Sequence, residues 1–167
     1  MKRSLLLAAT VLVAVCWLAP AGGGDKNEKF DPANIKKLQA TLPEGWKDDG
    51  AALNVRRFVK DSKPKLLVFA ELYKDEAPKS PEALADLAKK DNLIFPRGQW
   101  VSTKGVGKLP DGVFVVGVSK TAGAEEDAIG AVRTIGGKTV MFICVPAGEA
   151  ADRKEMLGVV RSAKFEK

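Results

Sequence analysis

The stretch that most limits the fold is Lys138–Val145, KTVMFICV, whose Val140–Val145 part is apolar on both faces. A strand with one wet face alternates apolar with polar residues, so an unbroken apolar run predicts a central strand. Gly136-Gly137 stands just before it, and Ala128–Ile135 precedes that pair. Glycine tolerates the positive φ angles of a two-residue turn, so the three pieces predict a tight hairpin. Pro146 follows; it has no N–H to give to a central ladder, and the strand stops there.

The rest of the chain supplies partners for this hairpin. Leu53–Lys60 and Leu66–Tyr73, separated by Asp61-Ser62-Lys63-Pro64, read as an antiparallel hairpin. Trp100–Lys108 and Val113–Ser119 flank a turn at Pro110-Asp111-Gly112 and read as another. Leu38–Leu42 is apolar at every second position and reads as a short strand, while Asp31-Pro32 offers the alternative of a capped short helix. Pro43-Glu44-Gly45 then turns the chain, which places Trp46 at the edge of the core.

Two helices are legible. Ser80 is suited to cap free amides and Pro81 to occupy the first helical position, where an N–H would be unpaired anyway. Ala83, Leu84, Leu87 and Ala88 form the apolar face that follows, and Leu93, Ile94 and Phe95 lead the chain back to the core. A second helix is expected from Glu149 to Arg161 with Met156, Leu157 and Val160 as its buried stripe. The order predicts an α+β fold: an antiparallel β-sheet with two helices packed on it, in one domain over residues 35–167.

The N-terminus reads differently. Lys2 and Arg3 precede an uncharged run from Leu5 to Leu18, which is shorter than the ~20 residues that span a bilayer as a helix. A basic start, a short apolar run and the small residues of Ala19-Pro20-Ala21 describe a secretory signal peptide, residues 1–21. Gly22–Asn34, glycine-rich and charged, reads as a flexible leader. Cleavage after Ala21 discards Cys16; the bulky Val15 and Trp17 around it fit lipidation badly. The mature chain then has no transmembrane segment and one cysteine, Cys144, which cannot form an internal disulfide. Export to the periplasm or the cell exterior is the expected location. Removing Lys2 and Arg3 leaves a modest, scattered positive charge, which does not argue for nucleic acid.

No candidate residue set carries catalysis. The sequence has no histidine, which removes Ser-His-Asp and Cys-His chemistry and the commonest zinc ligand. Cys144 lies in the most apolar strand and reads as a buried, inert side chain. Lys104-Gly-Val-Gly-Lys108 lacks the first glycine and the final Ser/Thr of a phosphate loop and leads into a hairpin. Glu125-Glu126-Asp127 reads as a solvated acidic loop without the spaced ligand set that calcium needs. Trp46 and Trp100 read as core-edge residues rather than a ligand platform. No cofactor is implied. Arg56, Arg57, Lys60, Lys63 and Lys65 crowd one hairpin with only Asp61 to offset them. Where they share a solvent face, they form a basic patch for an anionic partner; otherwise they keep a strand soluble.

Leu42-Pro43-Glu44-Gly45-Trp46 near the start and Val160-Arg161-Ser162-Ala163-Lys164-Phe165 at the end bracket the helix after Ser80-Pro81 and the Gly136-Gly137 hairpin. On these residues and this element order the chain resembles the PsbP-like superfamily over about Leu38–Phe165. That group includes the extrinsic photosystem protein, a Ran-binding nuclear import factor and small bacterial envelope proteins. Ala163 stands where an aromatic is expected. The resemblance implies a PsbP-like layered domain and a non-enzymatic adaptor or accessory role, and it transfers no functional residues. The sequence therefore predicts an exported, non-catalytic binding or accessory protein of the bacterial cell envelope, acting on an unknown protein or an anionic envelope component. A carboxylate- or metal-dependent enzyme and a small-molecule carrier are the alternatives.

Overall fold

Every predicted strand pair needs its backbone ladder satisfied, and the order of pairing decides what the faces carry. In a computed structural model that describes residues 31–52, 54–91, 98–121 and 123–166, the main sheet has seven strands. They are β2 (Trp46–Ala52), β3 (Val55–Lys60), β4 (Leu66–Leu72), β5 (Gly98–Leu109), β6 (Gly112–Thr121), β7 (Ala124–Ile135) and β8 (Lys138–Val145). Their spatial order is β2-β3-β4-β8-β7-β6-β5, with every pair antiparallel. β8 sits in the middle, as its doubly apolar sequence requires, with Val140, Phe142 and Cys144 fully buried on one face and Met141 and Ile143 buried on the other. Gly136 and Gly137 take φ values of +57° and +76° and close the β7–β8 hairpin in the register Ile135↔Lys138.

The two helices lie on opposite faces, which the sequence did not foretell. α2 (Ala150–Ser162) buries Met156, Leu157, Val159 and Val160 against the face that carries Phe58, Leu66, Val68, Ala70 and Phe142. α1 (Pro81–Asp91) packs on β5, β6 and β7 from the other side, against Trp100, Val113, Val115, Ala128 and Val132. Ser80 caps α1 as expected, its Oγ accepting from Ala83 N at 3.2 Å. The buried positions are Pro81, Leu84, Ala85 and Ala88; Ala83, expected inside, is exposed, and Leu87 is half-buried. The stripe is thus rotated by one position relative to the expected one. Leu93, Ile94 and Phe95 lie outside the described residues.

Of the expected leader only residues 31–34 lie among the described residues. Pro32–Lys37 forms a 3-10 helix, capped by Asp31 Oδ1, which accepts from Ala33 N at 2.9 Å. Ile35 and Leu38 are fully buried under it. Of the expected strand Leu38–Leu42 only β1 (Leu38–Gln39) pairs, with β9 (Lys164–Phe165) at the other end of the chain. Ser162 Oγ accepts from Thr41 N at 3.0 Å and adds a second clasp. Residues 38–41, just before LPEGW, therefore meet the VRSAKF segment in space. Residues 1–30, including the signal-peptide reading and most of the leader, lie outside the described residues. No helix among the described residues is long and apolar enough to cross a membrane.

β2 was not foreseen. Its sequence WKDDGAA buries only Trp46, so it shows no alternation to read. It is an edge strand held by ion pairs: Arg56 to Asp48 on one face of the β2–β3 ribbon and Arg57 to Asp49 on the other.

Candidate functional site

The basic hairpin does not present one surface. Side chains alternate across a strand, so Arg56 and Lys60 share a face with Phe58, while Arg57 points the other way. The shared face is the one covered by α2 and the 3-10 helix. Arg56 donates to Lys36 O there as well as pairing with Asp48. Lys60 Nζ reaches Glu155 on α2 at 2.7 Å, and Trp46 Nε1 donates to the same oxygen at 2.9 Å. These two donors hold the Glu155 carboxyl below its ordinary range. Lys65 pairs with Asp61 at 3.2 Å, which also accepts from Lys47 at 2.6 Å. Of the five predicted residues, Lys63 alone has no acidic partner among the described residues. Four of the five charges are thus spent within the fold.

The other sequence candidates resolve plainly. Glu125, Glu126 and Asp127 lie within β7, not in a loop, and alternate between its faces; Asp127 pairs with Lys104 at 2.5 Å. Lys104–Lys108 is the outer strand β5, extended through both lysines. Cys144 is fully buried in the core, and desolvation pushes its thiol far up, so it is no nucleophile. Trp46 and Trp100 are 7% and 4% exposed and pack into the two cores. The void between α1 and the sheet beside Trp100 holds about 10 Å³, no more than the room of a single water. The carrier reading lacks its cavity at that position.

A larger space lies at one end of the sheet. An open cleft of about 620 Å³ is bounded by three segments: Glu76–Lys79 before α1, Lys108–Val113 around the β5–β6 turn, and the β7–β8 turn between Thr134 and Thr139. The strand order β8-β7-β6-β5 brings the two turns to the same end, and the β4–α1 connection passes beside them. Val113, 4% exposed on the α1 face of the sheet, gives it an apolar floor, while Leu109 lines it from the α2 face. Gly112 is required at the rim because a Cβ there would stand 2.0 Å from Val132 O.

The polar groups of the cleft are unevenly committed. Asp111 is held by Arg133 at 3.3 Å, and its carbonyl accepts from Thr134 N at 2.9 Å. Arg133 is buried and reaches under the end of α2, where Nη1 donates to Val160 O, Arg161 O and Ala163 O at 2.6, 2.9 and 3.2 Å. A guanidinium at the carbonyl end of a helix satisfies groups that have no partner within it. The turn at Asp111 is therefore tied through Arg133 to the opposite layer of the fold. Lys79, Lys108 and Glu76 are exposed and have no partner among the described residues, and the hydroxyls of Thr134 and Thr139 are likewise unengaged. Those two threonines are cross-strand neighbours, so they stand side by side on one face. Sequence reading missed this site because none of its residues is unusual for its segment; only the sheet order assembles them.

No protein-family model matches the chain, and no curated protein matches it. Among solved structures it is similar to LpqN, involved in cell envelope biogenesis of Mycobacterium tuberculosis, with a TM-score of 0.48 and 11% identity. That likeness covers 78% of this chain and 83% of LpqN. It is also similar to a protein from Bacteroides thetaiotaomicron VPI-5482, with a TM-score of 0.43 and 16% identity over 78% of this chain and 46% of the other. At these values neither likeness carries an argument about activity or partner.

Proposed function

We propose that the protein is an exported, non-catalytic accessory protein of the bacterial cell envelope that works by binding a partner molecule at the sheet-end cleft. The observation that carries this reading is the concentration of uncommitted hydrogen-bonding groups around the cleft. Elsewhere on the sheet Arg56, Arg57, Lys60 and Asp127 are taken up by partners within the fold. A pocket of this size with a few convergent polar groups over an apolar floor is suited to binding. The signal-like N-terminus and the PsbP-like element order support export and an accessory role.

Export is tested by intact mass: the exported fraction should contain a chain beginning at Gly22, and an acylated Cys16 or a retained leader would contradict it. Binding is tested by thermal unfolding of residues 22–167 with a fractionated envelope extract, since a ligand of the folded state raises Tm. The expected result is a rise in Tm that is lost in the double variant Lys79→Glu, Lys108→Glu. A rise that is equal in that variant would move the binding surface elsewhere, with the outward Arg57, Lys63 and Lys65 of the β3–β4 hairpin as the next surface for an anionic partner.

A second reading has one observation in its favour: Glu76 and Asp111, two carboxylates, line the same cleft. A hydrolase working through that pair would lose its turnover in Glu76→Gln, and turnover abolished in this way would replace the accessory reading.

A further inference from the structure

The cleft's charge balance says more than that it binds. Four charged side chains line it: Glu76, Lys79, Lys108 and Asp111. Asp111 is already neutralised by Arg133, so two free cations face one free carboxylate, Glu76. The chain enters α1, an eleven-residue helix, two residues after Lys79, which brings the positive end of its dipole close to the same rim. Thr134 and Thr139 add two adjacent hydroxyls, each able to donate and to accept. An inorganic ion would use the lysines and leave the threonine pair and the apolar floor at Val113 without a role. A neutral sugar would use the threonines and floor and leave both lysines unpaired.

We propose that the cleft is a binding site for a hydroxylated organic anion of the acidic-saccharide class. Its carboxylate is met by Lys79 and Lys108, its hydroxyls by Thr134 and Thr139, and its C–H face by the floor. This inference rests on the binding reading above and specifies its ligand chemistry.

The test is calorimetric titration of residues 22–167 with trigalacturonic acid, with maltotriose as the neutral sugar and inorganic phosphate as the plain anion. Trigalacturonic acid should bind, with affinity that falls as salt rises. Lys79→Gln, Lys108→Gln should weaken it about tenfold or more, and Thr134→Val, Thr139→Val should weaken it separately. All four positions are exposed or half-exposed, and circular dichroism verifies that the variants remain folded. Maltotriose binding as tightly as the acid would overturn the role of charge, and phosphate binding as tightly would overturn the role of the hydroxyls. Absence of trigalacturonate binding would overturn the ligand class. If the envelope extract still raised Tm through Lys79 and Lys108 in that case, the binding reading itself would survive.

Discussion

Arg133 Nη1 donates to Val160 O at 2.6 Å, joining the middle of the sheet to the last turn of α2. The same nitrogen reaches Arg161 O and Ala163 O, while Nη2 pairs with Asp111 at the cleft. One buried side chain thus caps a helix on one layer and fixes the rim of a cleft in another. Replacing it with Met leaves the helix-end carbonyls without their charged donor. Urea denaturation of Arg133→Met should show a loss of about 3 kcal/mol, since buried groups stripped of a charged partner cost that much. A loss under about 1 kcal/mol would mean that water serves those carbonyls equally well.

Two glycines separate close approach from mere flexibility. A Cβ on Gly117 would stand 2.1 Å from Ser102 O and 2.4 Å from the Trp100 ring. Gly158, inside α2, would meet nothing within 4 Å. Gly117→Ala should therefore destabilise by about 2 kcal/mol through overpacking. Gly158→Ala should stabilise by about 0.5–1 kcal/mol through helix propensity. Equal effects in chemical denaturation would contradict the packing of Trp100 over β6.

Stability should fall as pH rises through the window between 4.5 and about 7. Burial pushes the Glu71 carboxyl from its ordinary 4.5 to about 7, and Asn54 Nδ2 donates to it. The folded state holds this proton more tightly than the unfolded chain does, so folding is favoured while Glu71 is protonated. Glu71 is only half-buried, and solvent screening keeps the effect small. Asp61 and Glu155 act in the opposite sense: their cationic partners lower both, and their contribution is lost in acid as the pH falls through their depressed values. Urea midpoints measured from pH 5 to 8 should decline in the parent chain, and Glu71→Gln should remove that decline. An unchanged slope in the variant would show that another group titrates.

Sequence reading went furthest where side-chain chemistry and backbone demand coincided. The apolar run at Val140–Val145, the Gly136-Gly137 turn and the Ser80-Pro81 helix start each signal their role within a few residues. β2 was illegible because WKDDGAA is stabilised by cross-strand ion pairs rather than by alternation. Glu125–Asp127 looked like a loop because three carboxylates hide the strand they continue. The basic hairpin was legible as composition but not as surface, because Asp48, Asp49 and Glu155, its partners, come from other elements. The cleft was illegible for a related reason: Glu76–Lys79, Lys108–Val113 and Thr134–Thr139 converge only once β8 has inserted between β4 and β7.

The most direct test of the cleft as the working surface is amide hydrogen exchange of residues 22–167 with and without the envelope fraction that raises Tm. Added protection is expected at Glu76–Lys79, Lys108–Gly112 and Thr134–Thr139, with the rest of the sheet unchanged. Protection confined to the β2–β3–β4 edge, with these three segments unaffected, would contradict the account.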